Sequence, residues 1–305
     1  MGKTGWSVSA LSLGTVELGL RYGFYRDNEQ VIPSVTEGVS TLLYGFENGI
    51  NFLDTAPVYG QSEKIAGMAI KEWKEPVYVA TKVGNPHGLS GREFQEFLRI
   101  SIEESLINLN KERLDLVLIH NATASDFKNG DYFEVLEKAV DEGKVHFAGA
   151  SVYGVDNALC AVEYPFISVL QVAFNVLDQR MALNGVFEKC RQFNVGIIVR
   201  SALLKGVLTE RYRNLPPSLA GIKEDVFKVA GFAEAQGMNL ADFALQFCLK
   251  SVKDASVLQG VRNEKELASG IESVLSLKLS DEDIKTASAF ASDSGLIDPR
   301  NWDIP

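Results

Sequence analysis

Residues 77–120 read VYVATKVGNPHGLSGREFQEFLRISIEESLINLNKERLDLVLIH. Two short β-branched and aliphatic runs, VYVATK from Val77 and LDLVLIH from Leu114, flank a longer amphipathic one. The short runs are nearly continuous in apolar residues, which implies burial on both faces, as in a parallel sheet covered by helices. Between them, Ser90-Gly91-Arg92-Glu93 reads as a capping box opening a helix through Phe94, Phe97, Ile100 and Ser101 to Leu109. This is one strand–helix–strand unit.

The same alternation extends in both directions. Further strand candidates are LSLG from Leu11, INFLD from Ile50, VHFAGAS from Val145, SVLQV from Ser168, VGIIVRS from Val195 and ASVLQG from Ala255, making eight in all. Asp131 with Glu134 opens a helix whose Phe133, Leu136 and Val140 share a face, and Asn263 with Glu266 opens another through Leu267 and Ile271. No Pro/Gly/Ser-rich linker divides the 305 residues. Eight such units predict an α/β protein with one closed (β/α)8 TIM barrel over residues 1–305. A doubly wound sheet is the alternative, and it lacks a GxGxxG after the first strand.

Composition narrows the function. Forty acidic against 30 basic residues give a net charge of −10, which argues against a nucleic-acid partner but leaves room for a small phosphorylated ligand. Cys160, Cys190 and Cys248 form no CxxC pair, and no HxH or HExxH occurs, so neither a disulfide framework nor a metal site is expected. Met1 to Ser9 has no apolar leader core, and the longest apolar runs are only strand-length. A cytoplasmic protein with no membrane segment is the expectation; composition leaves its oligomeric state open.

In a barrel, chemistry sits at the C-terminal ends of the strands. Those ends carry Asp54 with Tyr59 in the loop beyond, Lys82, His120, Ser151, Gln171, and Arg200 with Ser201. A phenol, with an ordinary pKa near 10, gives up its proton reluctantly at neutral pH. A neighbouring ammonium stabilises the phenolate, each unit of depression corresponding to about 1.4 kcal/mol. Lys82 is expected to supply that charge, Asp54 to keep Lys82 protonated, and His120 to orient a substrate oxygen. Together they would protonate an oxyanion as a hydride reaches carbon.

FLDTAPVYGQSE from Phe52 to Glu63, VATK ending at Lys82 and LIH ending at His120 resemble, in order, signature segments of the aldo-keto reductase family. GKTGWSVSALSLGT, GKVHFAGAS, QVAFNVLDQR from Gln171 and RSALLKGVLT from Arg200 are similar to further segments of that family, so the resemblance covers essentially the whole chain. It implies an NADP(H)-dependent oxidoreductase that interconverts an aldehyde, ketone or sugar carbonyl with its alcohol. Tyr59 would be the acid in reduction and the base in oxidation, with Asp54, Lys82 and His120 in support. Ser151 and Gln171 match positions that hold the nicotinamide carboxamide; Ser201, Leu203, Lys205 and Gly206 match the loop over the pyrophosphate. Arg262 falls where the family often places a cation for the adenosine 2′-phosphate, hence NADP(H) rather than NAD(H).

Three positions depart from the family pattern. Val152 stands where many members have asparagine. Arg200 stands where many have an aromatic ring stacking on nicotinamide; a guanidinium also stacks, but its charge disfavours the oxidised ring. Gly270 replaces an asparagine that contacts adenine. The Val152 and Arg200 departures motivate an alternative, a nicotinamide-binding regulatory subunit with negligible turnover. A Schiff-base aldolase built on Lys82 is a further alternative; it requires a lysine whose pKa is depressed, whereas pairing with Asp54 is expected to raise it. Glu17, Arg21, Tyr22, Phe24 and Tyr25 follow the first strand as candidate substrate contacts for a polar carbonyl, and Trp302 either closes the pocket or packs on the barrel wall. His87 reads as a loop residue near the pocket and His146 as structural. The hairpin that closes the barrel bottom in this family is expected to be shortened.

Overall fold

The computed structural model describes residues 1–23, 31–84 and 88–302; Phe24, Tyr25 and His87 lie outside them. The eight runs form β1 (Leu11–Gly14), β2 (Phe52–Asp54), β3 (Tyr78–Val83), β4 (Leu114–Ala122), β5 (Val145–Val152), β6 (Ile167–Ala173), β7 (Gly196–Arg200) and β8 (Ala255–Gly260). Each pairs in parallel with the next, and β8 pairs with β1, closing the barrel in chain order. The expected fold class is therefore the observed one.

Helix starts are less regular than the sequence suggested. Ser90 precedes the helix Gly91–Asn108, but its side chain makes no capping hydrogen bond. Gly91 sits at φ +55°, a left-handed entry that interrupts the geometry a capping box needs. Asp131 begins its helix rather than capping it, because Gly130 at φ +78° holds the cap position. Asn263 does cap the helix Glu264–Leu275, accepting from the Glu266 amide at 3.0 Å.

Side chains alternate across each strand, so every second residue points into the barrel. Phe52, Ala80, Leu116, Leu118, Val169, Ile198 and Leu258 fill that interior, while a larger apolar core lies between strands and helices. No hairpin precedes β1 among the described residues. Instead Met1, Trp6 and Val8 pack on the interior cluster from below. The Trp6 ring stacks on Tyr78 at 4.5 Å and meets Phe147 edge-on at 5.1 Å. His146, stacked on Phe147, belongs to this bottom end. Among the described residues no helix is long and apolar enough to cross a membrane, and no cluster of His, Cys, Asp and Glu is arranged to hold a metal.

Candidate active site

The polar ring at the barrel mouth follows from strand periodicity. Asp54, Lys82, His120, Gln171 and Arg200 each come two residues after an interior apolar residue: Phe52, Ala80, Leu118, Val169 and Ile198. Ser151 follows Gly149 in the same way. A β-carbon at Gly149 would lie 2.6 Å from the Leu118 side chain and 2.4 Å from the Val169 carbonyl oxygen, so this rung has no room for one. Above the apolar floor, the strands change from hydrophobic to ionisable.

Four of these side chains, Lys82, Asp54, Gln171 and Ser151, form one buried hydrogen-bonded chain. Lys82 Nζ donates to both oxygens of Asp54, at 2.8 and 2.7 Å, and to the Thr55 carbonyl at 2.8 Å. Gln171 Nε2 donates to Asp54 Oδ1 at 2.6 Å, and Ser151 Oγ donates to Gln171 Oε1 at 2.9 Å. Lys82 is 2% and Asp54 5% exposed. A pair this deep is held by low dielectric and full hydrogen bonding, and losing either partner would strand a charge.

Tyr59 lies in the loop between β2 and the helix Ser62–Glu72. The Lys82 ammonium sits 4.8 Å from the centre of its ring, and His120 meets the ring edge-on at 6.1 Å. Lys82 spends its hydrogen bonds on Asp54 and Thr55, not on the phenol, which alters the expected acidification. Burial pushes the Tyr59 phenol above its ordinary range, the Asp54 carboxylate adds to this, and Arg200 opposes it. The Lys82 charge is largely offset by Asp54, leaving Arg200 as the cation that acts on the phenol. Burial also lowers Lys82, against the pull of Asp54. His120 is brought down to about 3 by burial, then by Lys82 and Arg200, so its imidazole is neutral at neutral pH.

Glu63 is a site residue that strand-end reading missed. It is 2% exposed and accepts from Thr81 Oγ1 at 2.6 Å, Ser105 Oγ at 2.8 Å and Asn108 Nδ2 at 3.2 Å. Thr81 precedes Lys82, so this carboxylate ties the helix after the Tyr59 loop to the strand carrying the lysine. It points away from the mouth, which is why reading strand ends does not find it.

A cleft of about 600 Å³ leads from Asp54, Tyr59 and Gln171 past residues 201–206 to Asn263, Lys265, Glu266 and Ser269. Ser201, Leu204 and Lys205 have φ of +62°, +45° and +51°, a compact turn that non-glycine residues adopt only when surroundings enforce it. Asn175 is part of that enforcement, donating to the Ser201 carbonyl at 3.0 Å. Lys205 reaches over the Tyr22 ring at 4.8 Å and the Trp302 ring at 5.7 Å. Trp302 is thus at the cleft's edge, its indole donating to the Leu296 carbonyl at 2.7 Å. Arg200 donates to the Val152 carbonyl at 3.1 Å and Ser201 Oγ at 3.3 Å, and its guanidinium lies 3.8 Å from the Tyr153 ring centre.

At the far end, Arg262 is engaged by carboxylates. Its Nε is 3.1 Å from Glu266 Oε1, its Nη2 bonds the same oxygen, and its backbone amide donates to Glu266 Oε2 at 3.1 Å. Glu17 approaches Arg262 Nε at 3.6 Å, and Arg211 approaches Glu266 at 3.9 Å.

The family profile "Aldo/keto reductase family" matches residues 10–291. The chain belongs to the aldo/keto reductase family. It is 27% identical over 300 residues to L-galactose dehydrogenase of Arabidopsis thaliana, covering 94% of this chain and 91% of the relative. It is 26% identical over 315 residues to an NADH-specific methylglyoxal reductase of Escherichia coli, covering 93% and 94%. The fold is similar to that of the aldo-keto reductase AKR11C1 from Bacillus halodurans in its holo form, with a TM-score of 0.79 at 22% identity and 96% of each chain covered.

Two departures from the aldo/keto reductase pattern have local explanations. The Val152 side chain is fully buried, and only its carbonyl reaches the mouth, where Arg200 takes it. At Gly270 the space a β-carbon would take is occupied by Gln259, whose Oε1 would lie 1.7 Å from it. The Gln259 amide fills that space, donating to the Glu266 carbonyl at 3.0 Å while its buried Oε1 has no partner among the described residues.

Proposed function

We propose that this aldo/keto reductase interconverts a small carbonyl compound and its alcohol with a nicotinamide dinucleotide, and that Tyr59 gives and takes the proton. The observation that carries the reading is the buried Lys82–Asp54 pair beneath the Tyr59 ring at one end of a long cleft. The donor set suits the cofactor. Gln171 has one amide hydrogen committed to Asp54 and a second left over, and Ser151 Oγ keeps acceptor lone pairs. A carboxamide needs one donor and one acceptor. Ser151 and Gln171 would hold it, with Arg200 alongside, and Ser201, Leu203, Lys205 and Gly206 would hold the phosphates, through backbone amides and the lysine.

The bound dinucleotide supplies the hydride. The neutral His120 imidazole donates a hydrogen bond to the carbonyl oxygen and orients it. Tyr59, fully protonated at neutral pH, transfers its hydrogen to that oxygen as it becomes an alkoxide, and solvent at the mouth restores the proton. Lys82 stays bound to Asp54 beneath the ring, and Arg200 supplies the charge that favours the phenolate left behind. With all three of its hydrogens accepted by Asp54 and Thr55, Lys82 is poorly disposed to attack a carbonyl as an amine. Glu17 and Tyr22 line the mouth, in keeping with a polar substrate.

Of the two dinucleotides, Arg262 pointed to NADP(H). Its guanidinium is engaged by Glu266 and Glu17, so Arg262 alone does not carry that choice.

Substituting Tyr59→Phe is expected to lower kcat about 10²–10⁴-fold with cofactor binding retained. Unchanged turnover would remove Tyr59 from the mechanism. Cofactor binding by the unsubstituted protein, with no turnover across an aldehyde panel, would favour the regulatory alternative.

A further inference from the structure

We infer that Glu266 sets the cofactor preference of this site toward NAD(H), by neutralising Arg262 and presenting a carboxylate to the ribose 2′-hydroxyl. The inference rests on the nicotinamide-dinucleotide reading above and deepens it.

The cleft has two ends. One is at Asp54 and Tyr59; the other is at the start of the helix Glu264–Leu275, where Asn263, Lys265, Glu266 and Ser269 line it. A dinucleotide with its reacting ring beside Tyr59 places its adenosine half at the second end. Among the described residues, the charged groups there are Arg211, Arg262 and Lys265 with Glu17, Glu210 and Glu266. Glu266 is central among them, since its carboxylate takes the Arg262 guanidinium and backbone amide and attracts Arg211.

A 2′-phosphate carries about −1.5 to −2 charges at neutral pH. To reach Arg262 it must displace Glu266 from a charge-assisted pair and then share the space with that carboxylate and with Glu17. A 2′-hydroxyl brings no charge. It needs one acceptor, and a carboxylate held in place by an arginine is a strong one. The same opposition, acid for the hydroxyl and arginine for the phosphate, separates the two cofactors in unrelated dinucleotide sites. Here both groups are present, and the acid holds the arginine.

The test is a direct titration of NADH and NADPH, followed by calorimetry or by cofactor fluorescence, on the whole protein and on Glu266→Gln. The wild-type protein is expected to bind NADH at least about tenfold more tightly than NADPH, or about 1.4 kcal/mol. Glu266→Gln removes the carboxylate charge between Arg262 and Arg211 and is expected to tighten NADPH by about tenfold or more, changing NADH by less than about fivefold. A role confined to the helix start would weaken both cofactors alike, leave their ratio unmoved and overturn the inference. Wild-type protein that binds NADPH as tightly as NADH also overturns it, while leaving the dinucleotide reading intact. Binding of neither overturns both.

Discussion

The Lys82 ammonium touches the face of the Tyr59 ring, 4.8 Å from its centre, and spends its hydrogen bonds on the Asp54 carboxylate instead of the phenol hydroxyl. Lysine and aspartate therefore act as one unit beneath the tyrosine.

Removing half of that unit should cost more than removing both halves. Lys82→Met leaves a buried carboxylate uncompensated and should destabilise by about 3–5 kcal/mol in urea unfolding. Adding Asp54→Asn should restore a large part of that stability while turnover stays lost. If the double variant loses the sum of the two single losses, the pair is not coupled as described.

The raised Tyr59 phenol and the depressed His120 imidazole fix the pH behaviour. In the proposed reaction, carbonyl reduction would need the protonated phenol and should hold level through neutral pH into mild alkali, whereas alcohol oxidation would need the phenolate and should climb with pH over that range. His120 falls from 6.5 to about 3 in the folded protein, so below about 6.5 the unfolded chain takes up a proton that the native state refuses. Its contribution to stability is complete above the unfolded value and is lost as pH falls toward 3. An imidazole carbon resonance of His120 that titrates between pH 5 and 8 would contradict this.

Arg200 meets a carbonyl, a hydroxyl and an aromatic ring, and no carboxylate is among these contacts. In the proposed cofactor site, its charge would disfavour a cationic nicotinamide. The protein should bind reduced cofactor more tightly than oxidised, and Arg200→Ala should shrink that ratio by about tenfold at most. Equal ratios in both proteins would show that Arg200 has no such influence.

The Gly270 and Gln259 positions should exchange only together. Gly270→Asn alone forces a side chain into the Gln259 amide and should destabilise by about 1–3 kcal/mol. Combined with Gln259→Ala, the asparagine gains its space and thermal stability should recover. Absence of rescue would locate the strain elsewhere.

The fold was legible because each strand is a short apolar run and each helix repeats at its own period. The polar ring was legible for the same reason: Asp54, Lys82, His120, Ser151, Gln171 and Arg200 are the residues at which an inward-facing register becomes polar or ionisable. Other features depend on distance through space. Ser90 looked like a cap until Gly91 took a left-handed entry. Arg262 looked available, but Glu266, four residues along the same helix start, accepts its guanidinium. Glu63 reaches β3 from behind, and Tyr153 lies under Arg200 from beyond the end of β5, two strands away. No periodic reading assigns these partners.

The aromatic packing of Trp6 against Tyr78 and Phe147 closes the lower end of a barrel whose interior is already filled by side chains. In the proposed reaction, substrate, product and the proton returned to Tyr59 would therefore all pass by the mouth at the strands' C-terminal ends. Traffic through it becomes sequential, and a slowly departing occupant would set the pace for everything behind it.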